Sequence, residues 1–228
     1  MKYRYGIKPN WRRSMAGFTL VELMISTGVF SVVLLICTTA VLVIGQDFHK
    51  AAIASLTQNT SRNIIDNITR ELQYNTGTVS TDSNTFNSVT VNAVCIGTVR
   101  YSYLLGYELV DGSFVSTKQQ SPHVLWRDEA ADPACSPLDV TEALTGGKEL
   151  MSLHTRLSNN DGNNDGNADG LNITTAISSG GTLYNIDVSV IYGDKDVITG
   201  ASNCVSSRSG GTFCGLSELH TAVFRKAN

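Results

Sequence analysis

The feature that most constrains this chain is an uninterrupted apolar run near its amino end. Residues 18–44 read FTLVELMISTGVFSVVLLICTTAVLVI, and the only charged side chain among them is Glu22. As an α-helix rising about 1.5 Å per residue, this run is longer than the roughly 30 Å hydrocarbon core of a bilayer. We therefore predict that residues 18–45 cross a membrane as one helix.

Charge is divided unevenly about this run. The first 17 residues have no acidic side chain and a charge of +5, from Lys2, Arg4, Lys8, Arg12 and Arg13. Positive charge before a membrane segment keeps that end cytoplasmic, so we expect the rest of the chain to be exported. The rest has 12 Lys and Arg against 20 Asp and Glu. An acidic body disfavours nucleic acid as a partner, because phosphate contacts need clustered cations.

Glu22 is unexpected in a simple membrane anchor. A carboxylate in hydrocarbon costs about 2.5–3.5 kcal/mol on insertion scales, and the run offers Glu22 no Lys or Arg as an intrachain partner. Cleavage between Gly17 and Phe18 would create a new amine at the same depth. An uncleaved anchor gives Glu22 no purpose, and a secretory signal peptide would be shorter and end in an A-x-A site.

The residues around that bond are SMAGFTLVELMIS, which follow the basic leader. They resemble the class III signal of type IV prepilins and type II secretion pseudopilins, in which Gly precedes Phe-Thr-Leu-x-Glu at the start of a long apolar helix. The resemblance implies that prepilin peptidase removes residues 1–17 by cutting after Gly17, and that it N-methylates Phe18. It also implies that the methylated amine, which stays positive, pairs with Glu22 of an adjacent subunit.

The resemblance implies a structural subunit and not an enzyme. The histidines are scattered, and no HExxH, G-x-S-x-G or phosphate-binding glycine motif occurs. Implied partners are prepilin peptidase, other pilin subunits through the N-terminal helix, and the inner-membrane assembly platform. The subunit would be a single-pass membrane protein before assembly and would then lie in the pilus or at the cell surface.

Four functions remain open on the sequence alone. A minor pilin of a type IV pilus is preferred, because removing 17 of 228 residues leaves 211, and a loop-rich domain of that size suits a tip subunit. A pseudopilin of a type II secretion system shares the same signal and is the main alternative. A membrane-anchored calcium-binding or adhesive ectodomain and a DNA-uptake filament are less favoured.

Helical periodicity continues past the apolar run. No proline occurs between Phe18 and Tyr74. An apolar stripe with a period near 3.6 residues is formed by Ile53, Leu56, Ile64, Ile68 and Leu72. We predict that residues 46–75 are the amphipathic half of one long helix, whose stripe packs on a domain.

After Tyr74 the sequence changes to short alternating segments separated by Ser, Thr, Asn and Gly. The segment LYNIDVSVIYG, for example, places Ile186, Val188, Val190 and Tyr192 on one face of a strand. We predict that residues 76–228 form an extracytoplasmic antiparallel β-sheet domain on the helix. The fold class is then α+β, in an arrangement similar to the pilin fold.

Four of the five cysteines lie outside the apolar run, an even number that fits an oxidising compartment. Four cysteines allow three pairings. We predict Cys204–Cys214, because ten residues that include two glycines can close a short loop, which leaves Cys95 with Cys135. Cys37, inside the run, is expected to be a buried thiol.

A possible ion site follows at residues 159–172, NNDGNNDGNADGLN. Its spacing resembles an EF-hand-like or dockerin-like calcium loop, with Gly166 at the turn position and a backbone oxygen expected from Asn167. Side-chain oxygens would come from Asp161, Asn163, Asp165 and Asp169. Asn172 occupies the place of the usual bidentate acid, and a register starting at Asp165 also fits the first six positions. The alternative is a solvated turn cluster without an ion.

Overall fold

The computed structural model describes residues 17–75, 77–129, 135–159, 170–178, 181–193, 198–199, 203–204 and 213–226. The chain divides into two compact units, with the boundary between Gly45 and Gln46. Helix α1 (Leu20–Tyr74) crosses this boundary. The prediction of one long helix over both segments is confirmed.

In the first unit, α1 is a bare apolar helix. Every residue from Phe18 to Ile44 is exposed within the single chain. By length and composition, α1 is the one helix in the described part of the chain that could cross a membrane. Exposed apolar surface of this extent is unfavourable in water, so the segment needs lipid or other helices around it.

In the second unit, α1 buries one stripe against the domain. Ile64, Ile68 and Leu72 are fully buried, as the periodicity predicts, whereas Ile53 and Leu56 are only half-buried. The side chains of the stripe are therefore more deeply buried toward the carboxyl end of the helix. Apolar burial there is what stabilises this half of the helix, since isolated helices are marginal in water.

Hydroxyl side chains fill the eight-residue gap in that stripe. Thr57, Thr60 and Ser61 are all buried, and each donates its hydroxyl to a carbonyl one turn earlier on α1. Thr60 also bonds the Ser152 hydroxyl at 2.8 Å. Because these donors are satisfied locally, small polar residues can be buried here without the cost of an unpaired group.

The strands follow in chain order. They are β1 (Val79–Phe86), β2 (Val89–Ile96), β3 (Val99–Tyr103), β4 (Glu108–Leu109), β5 (Gln120–Ser121), β6 (Leu125–Glu129), β7 (Lys148–Glu149), β8 (Thr155–Leu157), β9 (Leu171–Ser178), β10 (Gly181–Tyr192), β11 (Ile198–Thr199), β12 (Asn203–Cys204) and β13 (Gly215–Lys226). A 3₁₀ turn, Ser116–Lys118, lies between β4 and β5.

Within the described residues these strands form two larger sheets and one small ribbon. The first sheet has the order β1-β2-β3-β6-β7 and is antiparallel throughout. The second has the order β13-β10-β8-β4-β5, with β9 also paired to β10, and its β4–β5 pair is parallel. Strands β11 and β12 pair with each other. The α+β class is confirmed, and the domain uses two sheets where the sequence predicted one.

The main core lies between α1 and the two sheets. It joins the helix stripe to Tyr101 of the first sheet and to Ile186, Val188 and Val190 of the second. Strand β10 does not keep one buried and one exposed face along its whole length, because Ile191, next to the buried Val190, is also fully buried. A second apolar cluster of Val91, Leu104, Trp126 and Val140 lies outside this core.

Tertiary contacts mark the end of α1 at Tyr74. The side chain of the next residue, Asn75, donates to the Ile96 carbonyl at 2.9 Å and accepts from the Gly77 N–H at 3.2 Å. Gly97 has φ +62°, and a Cβ there would lie 2.1 Å from the Asn75 side-chain oxygen. Arg225 donates to the carbonyls of Asn75 and Gly77, which ties the helix end to the last strand.

The outer face of the first sheet is covered by the segment that starts at Cys135. Cys135 is bonded to Cys95 of β2. Arg100 forms a bidentate pair with Asp128 on β6 and donates to the Ser136 carbonyl at 2.6 Å. These contacts hold the segment against the sheet although it has no strand of its own there.

Candidate functional site

The apolar helix begins with a reciprocal hydrogen-bonded turn. Thr19 directs both its backbone N–H and its hydroxyl to Oε2 of Glu22, at 3.0 and 2.9 Å. The backbone N–H of Glu22 lies 3.3 Å from the Thr19 hydroxyl oxygen. This is a capping box, in which the residue before the helix and the third helical residue satisfy each other's free donors.

The capping box corrects one expectation. The sequence analysis considered only Lys and Arg as intrachain partners of Glu22 and found none in the run, whereas the structure gives Glu22 a hydrogen-bond partner in Thr19. Thr19 is therefore a functional residue that sequence reasoning did not identify. The pattern Thr-x-x-Glu before an apolar run was the available signal.

Electrostatics explains why an acid is tolerated at this position. A helix amino terminus carries a partial positive charge and free N–H groups, which a carboxylate in the first turn offsets. If the chain begins at Phe18, its ammonium group adds a full positive charge one residue before Thr19. In the described residues both Thr19 bonds go to Oε2. Oε1 therefore remains available to a group outside the subunit.

Gly17 and Phe18 precede the helix and have no regular secondary structure. Phe18 is 84% exposed. A Cβ added to Gly17 would meet no described atom within 4 Å. The fold therefore does not require glycine here for steric reasons. A requirement for Gly17 would come from a protein that recognises the bond between Gly17 and Phe18.

One face of the first unit combines Glu22 with apolar side chains at helical spacing. This face lines a shallow groove along α1 and includes Phe18, Glu22, Ile25, Val29, Phe30 and Val33. Glu22 is the one charged group on it. A neighbouring helix packed here would meet an apolar surface with a single carboxylate at one end.

The hydroxyl groups along the apolar helix are bonded within the helix itself. Ser26 donates to the Glu22 carbonyl, and Ser31 and Thr38 donate to carbonyls four residues earlier at 2.8 and 2.7 Å. Thr27 and Thr39 make similar bonds. Since these donors are satisfied inside the chain, they carry little penalty in hydrocarbon.

Both disulfides expected from the sequence are present in the structure. Cys95 pairs with Cys135 across 40 residues, and Cys204 pairs with Cys214 across 10. The first bridge is buried and the second is half-buried. Cys37 is a free thiol, but the expectation that it is buried is wrong for the single chain, because the apolar half of α1 is exposed along its whole length.

The predicted calcium loop lies almost entirely outside the described residues. All five proposed ligands do so: Asp161, Asn163, Asp165, Asn167 and Asp169. Asn172, at the last loop position, is exposed on β9 and pairs in register with Asp187. The calcium site therefore stays a prediction.

Comparison with known families supports the interpretation of the amino end. Residues 12–38 match a family model described as the prokaryotic N-terminal methylation motif. The chain thus carries the class III signal of the type IV pilin and pseudopilin family, and the resemblance drawn from the sequence is confirmed. No curated protein and no solved structure matches the chain.

The class of protein follows from the motif and the fold together. The methylation motif opens an exposed apolar helix, and the same helix continues into a domain of antiparallel and mixed sheets. The architecture is α+β and pilin-like. The motif supports a pilin-like or pseudopilin-like precursor, and proteins of the pilin-motif family are structural subunits.

Proposed function

We propose that this chain is a minor pilin-like structural subunit of a type IV pilus. Prepilin peptidase cuts it after Gly17 and methylates Phe18, and the mature subunit joins the filament through α1. The observation that carries this proposal is the capped Glu22 at the start of a fully exposed apolar helix, within the segment that matches the methylation motif.

Assembly uses the second oxygen of Glu22. The methylated Phe18 amine of one subunit pairs with Oε1 of Glu22 on its neighbour, while Oε2 keeps its bonds to Thr19. Removing one partner of a charge pair from a low-dielectric environment leaves the other uncompensated, which costs far more than the intact pair. The pair therefore rejects misaligned neighbours and sets the axial position of each new subunit.

The architecture of the exported part supports a low-copy subunit. Its domain carries two sheets and extended connections, such as the segment that starts at Cys135. Such a domain suits an end position better than the repeated contacts of a shaft. A pseudopilin of a type II secretion system is the alternative that the same signal allows.

The proposal implies a defined route through the cell. The precursor spans the inner membrane once, with the basic leader in the cytoplasm and residues 46–228 exported. Prepilin peptidase and the inner-membrane assembly platform are its first partners. Other pilin subunits then replace lipid around the apolar helix, and the chain finishes in the pilus at the cell surface.

Mass spectrometry of the purified chain, combined with shearing of surface filaments, tests the proposal. We expect a mature chain that begins at Phe18, carries one methyl group on its amine and is found in the sheared fraction. Gly17→Val should leave the leader attached. Gly28→Ala is the matched control, since a Cβ added to Gly28 would likewise meet no described atom within 4 Å.

Two results would overturn it. An intact amino terminus, or cleavage beyond residue 35, contradicts processing as a prepilin. A correctly processed chain that never enters filaments, but is needed for protein secretion, replaces the pilus with the secretion pseudopilus.

A further inference from the structure

Three aromatic rings and one lysine lie close together on and beside α1 a few residues after Gly45. The imidazole of His49 stacks on Phe213, with ring centroids 6.1 Å apart and planes 13° apart. The Lys50 ammonium lies 5.9 Å from the Phe213 ring centroid, and Phe48 contacts His49 edge-on at 6.2 Å. We call Phe48, His49, Lys50 and Phe213 the collar.

The collar is held in place by covalent and packing constraints. Phe213 directly precedes Cys214, which is bonded to Cys204. The next residue, Gly215, packs so closely on the helix that a Cβ there would lie 2.5 Å from Cγ2 of Ile53. Phe213 is therefore fixed against α1, even though it belongs to none of the three buried apolar clusters of the described residues.

The collar exposes apolar surface that the domain does not use. Phe48 is 71% exposed, and it is followed within two residues by a lysine. Tyr74 and Phe224 are also exposed, at 81% and 55%, but they lie at the end of α1 and near the end of β13. Phe48 differs from these two residues because it lies shortly after the apolar run.

Distance along the helix places the collar at headgroup depth. At about 1.5 Å per residue, Phe48 lies roughly 4.5 Å and Lys50 roughly 7.5 Å beyond Gly45. Each interfacial layer of a bilayer is about 5–8 Å thick. The apolar run is longer than the hydrocarbon core, so the helix spans with tilt, and interfacial side chains are what set that tilt.

We propose that the collar is an interfacial anchor that binds zwitterionic phospholipid headgroups on the exported side of the membrane. The two phenylalanine rings pack at the boundary between headgroups and acyl chains. Lys50 meets the lipid phosphate, and Asp47, one turn earlier, meets the lipid amine. The inference rests on the membrane-anchored state in the proposed function, and extraction into a filament would have to release these contacts.

Fluorescence quenching in nanodiscs tests the proposal on the full chain. The background protein carries Trp11→Phe, so that Trp126, which is 6% exposed, is the constant native signal. Single tryptophans are added by Phe48→Trp and Phe213→Trp. Phosphatidylcholine and phosphatidylethanolamine form the nanodisc, with bromine placed either near the headgroup or near the acyl terminus.

Two further variants calibrate the measurement. Phe30→Trp reports insertion of the apolar helix itself. Tyr74→Trp is the matched control, because it places an exposed aromatic ring at the other end of α1. We expect Phe30→Trp to be quenched by deep bromine. Both collar tryptophans should be quenched by shallow bromine about twofold more than Tyr74→Trp.

Each contrary outcome has a distinct meaning. If Phe30→Trp is quenched and both collar variants match Tyr74→Trp, the apolar helix is inserted in the membrane but the collar inference is wrong. If Phe30→Trp is not quenched, membrane anchoring fails and the collar fails with it. Quenching that requires added phosphatidylglycerol overturns the zwitterionic partner. Hydrogen exchange supplies a second test that introduces no larger side chain. Lipid contact should protect the amides of residues 46–53, and Phe48→Ala should lose that protection.

Discussion

The Thr19 hydroxyl lies 2.9 Å from Oε2 of Glu22, and the backbone N–H of Glu22 lies 3.3 Å from the same hydroxyl oxygen. One carboxylate thus closes the start of α1 within its own chain and keeps a second oxygen for another molecule. Cap and charge are two separable properties of the same side chain, and substitutions can distinguish them.

Removing the charge of Glu22 should reduce filament incorporation more than removing the cap. Glu22→Gln keeps an acceptor for Thr19 but loses the negative charge, and Glu22→Leu loses both. Thr19→Val loses the two hydroxyl bonds of the cap, keeps the backbone N–H of residue 19, and keeps the charge of Glu22. We expect both Glu22 variants to enter sheared filaments about tenfold less, equivalent to about 1.4 kcal/mol, and Thr19→Val to be only mildly affected.

Membrane insertion must be unchanged for that comparison to hold, and carbonate extraction checks it. Ser26→Ala, on the same face of α1, is the control for a small change in side chain. Wild-type amounts of Glu22→Leu in filaments would argue against the pairing of the Phe18 amine with Glu22.

The two disulfides should differ in both stability and accessibility. Loop-closure entropy predicts roughly 4 kcal/mol for a 40-residue loop and roughly 3 kcal/mol for a 10-residue loop. Paired replacement of Cys95 and Cys135 should therefore lower the free energy of unfolding more than paired replacement of Cys204 and Cys214. Stepwise reduction with alkylation and peptide mapping should open the half-buried Cys204–Cys214 bridge first. The reverse order would contradict the structure.

Tyr101 should make the free energy of unfolding of the domain fall at high pH. Burial raises the pKa of its hydroxyl from 10.0 to about 12. The folded state then holds the proton more tightly than the unfolded state, so this contribution is complete below pH 10 and is lost as pH rises through about 12. Compared with Tyr101→Phe, the wild-type domain should lose up to about 3 kcal/mol of unfolding free energy over that range.

At pH 7 the same substitution should have a small effect. The Tyr101 hydroxyl is buried and makes no hydrogen bond of good geometry to a described atom, although the Arg127 side chain beside it opposes part of the rise in its pKa. Because replacing the hydroxyl by hydrogen removes only this weak interaction, Tyr101→Phe should change the free energy of unfolding by less than about 1 kcal/mol. Tyr74→Phe is the control and should leave the loss of unfolding free energy at high pH unchanged. Chemical denaturation at several pH values measures both effects, and a large loss at pH 7 would reveal a hydrogen bond.

Calcium should stabilise the exported domain through residues 161–172. At millimolar calcium and a dissociation constant near 10⁻⁴ M, the gain is about 1.4 kcal/mol. Melting of residues 46–228 with calcium and with chelator measures it, and Asp165→Ala should abolish the shift. Asp82→Ala, an exposed acid on β1, is the charge-matched control. Equal melting temperatures without calorimetric heat would favour the solvated turn.

Much of the fold was predictable because its signals are local. The 3.6-residue repeat of Ile64, Ile68 and Leu72 identified the buried face of α1, and the alternation of Ile186, Val188 and Val190 identified the core face of β10. The capping box could also be predicted from Thr19 and Glu22, which are only three residues apart. The calcium ligands stay a prediction.

The sequence by itself determined the start, the length and the environment of α1, since capping, periodicity and hydropathy depend on residues within a few turns of each other. Only the tertiary structure decided which polar groups could be buried. Thr60 is satisfied partly by Ser152, and Arg100 by Asp128 and the Ser136 carbonyl, all of which lie 28 or more residues away. Strand order and the division into two sheets depend on the same long-range pairing, for which no short window of sequence holds both partners.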